Sequence, residues 1–235
     1  MSFENIPNKL VLDSWVGFIN KSLPRLSNKF NVIKENEDDL CLTLQKIISE
    51  KEILEIISFF NCNEKTITKK DTIKLSYGVE DDGIMRSCFY DIYFAIMLSK
   101  RINPFLNKIE VVDGNKYQMI GLNPLIRFIS YNKNNHKLIP HYDIPVTINK
   151  EKNITTLKTL VLYLNDANSG YTRFLKDTRK ESLTDSFQSF PIIKEQKPQK
   201  GLGIIFNHGI FHESAEIKNN DNKLIITTEI CYQLI

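Results

Sequence analysis

The spacing of apolar residues changes character part-way along the chain. Residues 39–60, DLCLTLQKIISEKEILEIISFF, set dense apolar positions among strong helix formers behind an acidic start, which predicts a packing helix. In CFYDIYFAIMLSKRINP the residues Phe89, Tyr93, Ile96 and Met97 fall at i, i+4, i+7 and i+8. That spacing predicts one apolar helix face, ending near Pro104. On this pattern the first hundred residues read as mostly helical, and their aromatic positions as core.

The second half reads as strands. LIRFISY (125–131), LKTLVLYL (157–164), YTRFL (171–175), GLGIIF (201–206) and KLIITTEICYQL (223–234) are short, apolar or alternating. Turn-rich segments such as LNDANSGYT separate them. Helices first and strands after predict an α+β fold, with a helical layer supporting an antiparallel sandwich or barrel. Two connections are long: 144–156, IPVTINKEKNITT, and 176–200, which is polar, charged and contains prolines. Loops of that length serve as lids or are tolerated surface insertions.

Composition narrows the classes. The chain has 235 residues and a net charge of +3, with both signs mixed along it. One domain fits that length, and so mild a charge gives no argument for nucleic acid or an anionic membrane. Cys41, Cys62, Cys88 and Cys231 lie far apart without a CxxC pair, so free thiols are expected rather than a cysteine zinc site. The start MSFENIPNKL has no basic, apolar leader, and no run approaches the ~20 apolar residues of a membrane span. A cytoplasmic location is the expectation.

The chemistry concentrates in the histidines. His136 lies in a polar turn, YNKNNHKL, and reads as solvated. The other three fall at strand ends, His141 in PHYDIP and His208 and His212 in FNHGIFH. In an extended segment i and i+2 share a side, so His141 and Asp143 can converge on one ion. A third ligand from a distant strand would complete two histidines and a carboxylate, a set that suits non-haem Fe(II). HxD alone is equally a solvated loop or a surface ion pair. The final strand, though, presents Lys223, Ile225 and Thr227 on one face, an ammonium and a hydroxyl able to hold the distal carboxylate of a metal-chelating diacid.

From about residue 84 onward the chain resembles the iron- and 2-oxoglutarate-dependent dioxygenases, in their prolyl 4-hydroxylase-like branch. Five pieces in order carry the resemblance: RSCFYDIYFAIMLSKRINPFL, GLNPLIRFISYNKNNHKLIPHYD, LYLNDANSGYTRFL, KPQKGLGIIFNHGIFHES and NKLIITTEICY. The first eighty residues match no pattern of that family. The resemblance implies a double-stranded β-helix (jelly-roll) core over 84–235, supported within one domain by a mainly helical region over 1–83. It implies Fe(II) ligation by His141, Asp143 and His212, the later histidine being taken over His208, which is left as a hydrogen-bonded neighbour. It implies Lys223 as the partner of 2-oxoglutarate, with Tyr131 and Thr227 sharing the carboxylate and Thr172 a weaker candidate. Arg127 and Tyr142 are the candidates for substrate contact, and Asn123 is expected to be structural.

The implied activity is hydroxylation of an unactivated C–H bond of a peptidyl or free amino-acid side chain. 2-Oxoglutarate and O2 would become succinate and CO2, with ascorbate as an optional addition. A full carboxylate at Asp143 favours hydroxylation over halogenation within that superfamily. Rival readings are a hydroxylase or desaturase of a small metabolite or nucleobase, a cupin-type metalloenzyme without 2-oxoglutarate, and a binding module with a decayed site. Lys223, Tyr131 and Thr227 speak against the cupin reading, and the intact triad against the decayed one.

Overall fold

The computed structural model describes residues 18–19, 22–63, 84–179 and 190–235. In chain order its strands and helices are β1 (Phe18–Ile19), β2 (Ile33–Glu37), β3 (Leu42–Gln45), α1 (Glu50–Asn63), β4 (Met85–Tyr90), α2 (Ile92–Ile102), β5 (Ile109–Val112), β6 (Asn115–Leu122) and β7 (Leu125–Tyr131). There follow β8 (Leu138–His141), β9 (Thr147–Asn149), β10 (Ile154–Tyr163), β11 (Thr172–Leu175), β12 (Ile192–Gln196), β13 (Gly203–Asn207), β14 (His212–Ser214) and β15 (Lys223–Leu234).

Eight of these strands make a jelly roll. The larger sheet runs β7-β15-β10-β13 at its centre, extended by β4 and β1 on one side and by β3 and β2 on the other. The smaller sheet runs β12-β11-β14-β8. Alternation along β15 explains the layers. Ile226, Ile230 and Tyr232 face one way and join Phe128, Leu160, Leu162 and Ile205 against Ile53, Ile56 and Phe60 of α1 and Phe94 and Leu98 of α2. Lys223, Ile225, Thr227 and Glu229 face the other way, towards the small sheet. There Ile225 meets Ile129, Val161, Tyr163, Ile204, Phe206 and Phe174. Phe174 of the small sheet contacts Phe206 of the large one edge to face, with centroids 5.5 Å apart.

Several local expectations are corrected. The pattern over 39–60 is not one helix: Leu42–Gln45 is β3, paired with β13 from Gly203 to Ile205, and α1 starts only at Glu50. Alternating Leu42 and Leu44 satisfy the sheet, while Ser49 and Glu52 cap α1 reciprocally. Among the described residues before 84 there are therefore strands as well as one helix. Phe89 belongs to β4, and α2 begins after Asp91, whose side chain accepts from Phe94 N. Its buried face is Phe94, Ala95, Leu98 and Ile102, whereas Tyr93 is 80% exposed. The helix does stop ahead of Pro104, at Ile102. The five expected strands of the second half all form, but the segments read as loops hold β9 and β12, and residues 180–189 lie outside the described ones. His136 is buried, not solvated, and its Nδ1 accepts from Asn132 N.

Candidate metal centre and basic pocket

Two strand ends of the small sheet bring the histidines together. His141 closes β8, His212 opens β14, and the two pair across the strands with ring centroids 4.3 Å apart. Asp143 lies just beyond β8, and its Oδ2 accepts a hydrogen bond from Thr159 Oγ1 of the large sheet. The ligand atoms of His141, Asp143 and His212 all lie within 4.8 Å of one another. His141 Nε2 is 3.6 Å from Asp143 Oδ1, and His212 Nε2 is 3.9 Å from Asp143 Oδ2.

The two imidazoles are set by the same local device. His141 Nδ1 meets Ile139 O at 2.7 Å, and His212 Nδ1 meets Ile210 O at 2.8 Å. A carbonyl can only accept, so each Nδ1 carries a proton and each Nε2 is the nitrogen turned to the centre. Burial, with His141 alongside, lowers the His212 pKa to about 4, so this ring is neutral at pH 7. Burial would raise the Asp143 carboxyl. The two imidazoles beside it, His141 first, and the Thr159 hydroxyl favour the anion, outweigh burial and hold the acid well below the usual carboxylate range. Two imidazole nitrogens and one carboxylate converge, a donor set that suits a divalent transition metal such as Fe(II).

A basic pocket adjoins this centre along β14. Ser214 lies two residues after His212 on the same face, about 6.6 Å away along the strand. Its hydroxyl accepts from Lys223 Nζ, which also donates to Gly170 O at 2.7 Å. Lys223 is 1% exposed, and its ammonium lies 4.3 Å from the centroid of the Tyr131 ring, its cross-strand neighbour. Burial lowers its pKa to about 7. Tyr163 Oη and Thr172 Oγ1 are 2.7 Å apart in the same region. Gly170 has a left-handed φ of +69°, and a Cβ there would collide with Ile217.

The residues expected from sequence fall into three places. His141, Asp143 and His212 form one cluster, and Lys223, Tyr131 and Thr172 a second beside it. Thr227 is buried on the inward face but pairs with Arg127 and Val161, two positions beyond Ile225. Arg127 pairs with Glu229, whose other oxygen accepts from Asn123 Nδ2 at 2.7 Å. Tyr142 stands at the rim, 40% exposed, donating to Asp177 at 2.8 Å and tilted against the Phe211 ring with centroids 4.9 Å apart. His208 is not among the converging ligand atoms. It is 3% exposed, with the Lys158 backbone beside its ring and the charges of Asp143, Glu229 and Arg127 nearby.

Ser214, Thr159 and Glu229 were not singled out from sequence. Period two from His212 and from Lys223 reaches Ser214 and Glu229, so alternation carried that signal. Thr159 owes its place to a fold-level juxtaposition. A separate cleft of about 640 Å³ at the start of α1, bordered by Lys29, Lys46, Glu50 and Lys200, contains no triad residue.

A prolyl hydroxylase from Trichoplax adhaerens, in complex with a hypoxia inducible factor oxygen degradation domain peptide fragment, aligns with a TM-score of 0.52 at 14% identity, over 88% of this chain and 84% of that one. The fold is that of a prolyl hydroxylase. Two other solved structures align below a TM-score of 0.5. The viral collagen prolyl hydroxylase of Paramecium Bursaria Chlorella virus-1, a 2OG complex, scores 0.49 at 18% identity over 82% of this chain and 94% of its own. A Pseudomonas putida prolyl-4-hydroxylase scores 0.48 at 14% identity over 82% and 92%. No protein-family model and no curated protein matches the chain. The prolyl hydroxylase fold accounts for the two sheets. No helix among the described residues is long and apolar enough to cross a membrane.

Proposed function

We propose that this chain is an iron- and 2-oxoglutarate-dependent oxygenase that hydroxylates a C–H bond of a peptidyl or free amino-acid side chain. The observation that carries the reading is the convergence of His141 Nε2, His212 Nε2 and Asp143, with both Nδ1 atoms tied to backbone carbonyls. An iron(II) ion held there would couple decarboxylation of 2-oxoglutarate by O2 to oxidation of the substrate. The residues divide the remaining work. His141, His212 and Asp143 hold the metal, with Thr159 fixing the orientation of the carboxylate. Lys223 supplies a single strong ammonium contact for the distal carboxylate of 2-oxoglutarate, and Ser214, Thr172 and Tyr131 surround it with hydroxyl and aromatic groups. The span between His212 and Ser214, about 6.6 Å along the strand, is of the order of a five-carbon diacid. Ile225, Ile129, Val161 and Phe174 line the space between the sheets and keep water from it. The domain reading belongs to this proposal: one unit, in which residues 84–235 carry the chemistry and residues 1–83 support it.

Calorimetry and thermal shift test the reading. Mn(II) with N-oxalylglycine, an unreactive 2-oxoglutarate analogue, is expected to stabilise the protein, and Fe(II) with 2-oxoglutarate to yield succinate. His141→Ala, Asp143→Ala and His212→Ala should each abolish succinate formation, while His208→Ala should retain most of the turnover seen without substrate. An active His212→Ala beside an inactive His208→Ala would overturn the ligand set.

A further inference from the structure

The ion pair of Arg127 and Glu229 has no task in the reaction as described. Both residues point between the sheets. Glu229 is the cross-strand neighbour of Thr159, which holds the Asp143 carboxylate, so the pair lies beside the ligand set, six residues along β15 from Lys223. Glu229 is 6% exposed; one oxygen accepts from Arg127 and the other from Asn123. His208 continues the inward register of Ile204 and Phe206, and its backbone N–H bonds Leu157 O. Its ring is close enough to feel the charges of Asp143, Glu229 and Arg127.

Two physical facts make this corner unusual. A buried ion pair contributes little stability that an apolar pair of the same volume would not. An imidazole 97% buried, with the Lys158 backbone as the one polar group engaging its ring, leaves donor or acceptor capacity unused at a desolvation cost. A partner that the protein alone does not supply would relieve both costs.

We propose that Arg127, Glu229 and His208 form the substrate subsite for the head group of a free α-amino acid, whose side chain then extends to the metal position. The inference rests on the oxygenase reading and narrows its substrate class. An α-amino acid carries an ammonium and a carboxylate side by side, the complement of a carboxylate and a guanidinium side by side. Glu229 retains lone pairs beyond the two already engaged, and the neutral imidazole offers one donor and one acceptor. The site and the head group are each electroneutral as pairs, so the complex buries no net charge. A free head group presents an opposite charge to each member of the Arg127–Glu229 pair, whereas a peptide main chain brings only neutral amides.

The test uses the full chain loaded with Mn(II) and N-oxalylglycine, in thermal-shift titrations with the standard L-amino acids and with their N-acetyl amides. At least one free amino acid should add a further shift, and its N-acetyl amide none. Glu229→Gln should weaken that amino acid by on the order of tenfold or more, and His208→Ala by roughly three- to tenfold. His208→Ala leaves the ion pair intact and carries the test where Glu229→Gln fails to melt cooperatively. A shift from the blocked amides alone overturns the subsite. So does no shift from any amino acid in a protein that does respond to Mn(II) and N-oxalylglycine. No response to Mn(II) and N-oxalylglycine overturns the oxygenase reading and the subsite with it.

Discussion

The ammonium of Lys223 is buried with one carbonyl, one hydroxyl and one aromatic face around it, and no carboxylate among the described residues. Its folded pKa of about 7 lies below the model-peptide value of 10.5. Between those values the unfolded chain holds a proton that the folded one lacks, so ligand-free stability rises with pH from about 7 to 10.5. Below about 7 both states are protonated, and the full cost of burying the charge is present. Binding a dicarboxylate reverses the preference, because the anion favours the charged amine. Affinity for N-oxalylglycine should therefore fall as pH rises above 7, by at most about tenfold per unit. Lys223→Met should weaken N-oxalylglycine by roughly 10- to 100-fold without lowering the melting temperature of the ligand-free protein. Calorimetry on the Mn(II)-loaded variant checks this, and unchanged affinity would remove Lys223 from the pocket. The lysine was legible because a charge in an otherwise apolar strand is conspicuous. The burial of His208 beside the Arg127–Glu229 pair was not, since sequence shows what a residue is and not which neighbours the fold gives it.

At the scale of elements, one carboxylate ties three segments together. Glu52 caps α1 through Ser49, accepts from Ser27 N at 2.6 Å and takes both terminal nitrogens of Arg101 from α2, at 2.7 and 3.0 Å. Burial opposes its ionisation. The Arg101 hydrogen bonds and those from Ser49 and Ser27 prevail and lower the pKa to about 2. The stability this contributes is fully present above the unfolded value near 4.5 and is lost as pH falls towards 2. Glu52→Gln strands the Arg101 charge, which is 1% exposed, and should cost about 3–5 kcal/mol in urea denaturation at pH 7. A change under about 1 kcal/mol would show the network to be dispensable. The capping pair was readable as Ser-x-x-Glu, yet the helix was placed too early, because Leu42 and Leu44 suit a strand as well as a helix. Only the free edge of β13, absent from any local window, decides between them.

At the scale of the molecule, the ligand set straddles the two sheets. His141 and His212 stand on the small sheet, and Asp143 is fastened to Thr159 on the large one. The order of motifs along the sequence already implied the jelly roll, because the pieces that carry chemistry are also the strand ends that the topology brings together. What stayed hidden were the short strands β8, β9, β12 and β14, too brief or too polar for a period of two to show. A metal joining the sheets should stabilise them as a unit. Mn(II) at a hundredfold excess over its dissociation constant would contribute about 2.7 kcal/mol. For a chain of this size that corresponds to a rise in melting temperature of about 5–10 °C, reversed by EDTA. Hydrogen exchange would locate the effect: slower exchange is expected in β8 and β14 and also around Thr159 of β10. Protection confined to the small sheet would mean that Asp143 ligates without drawing the large sheet in, and would leave the Thr159 bond as local support only.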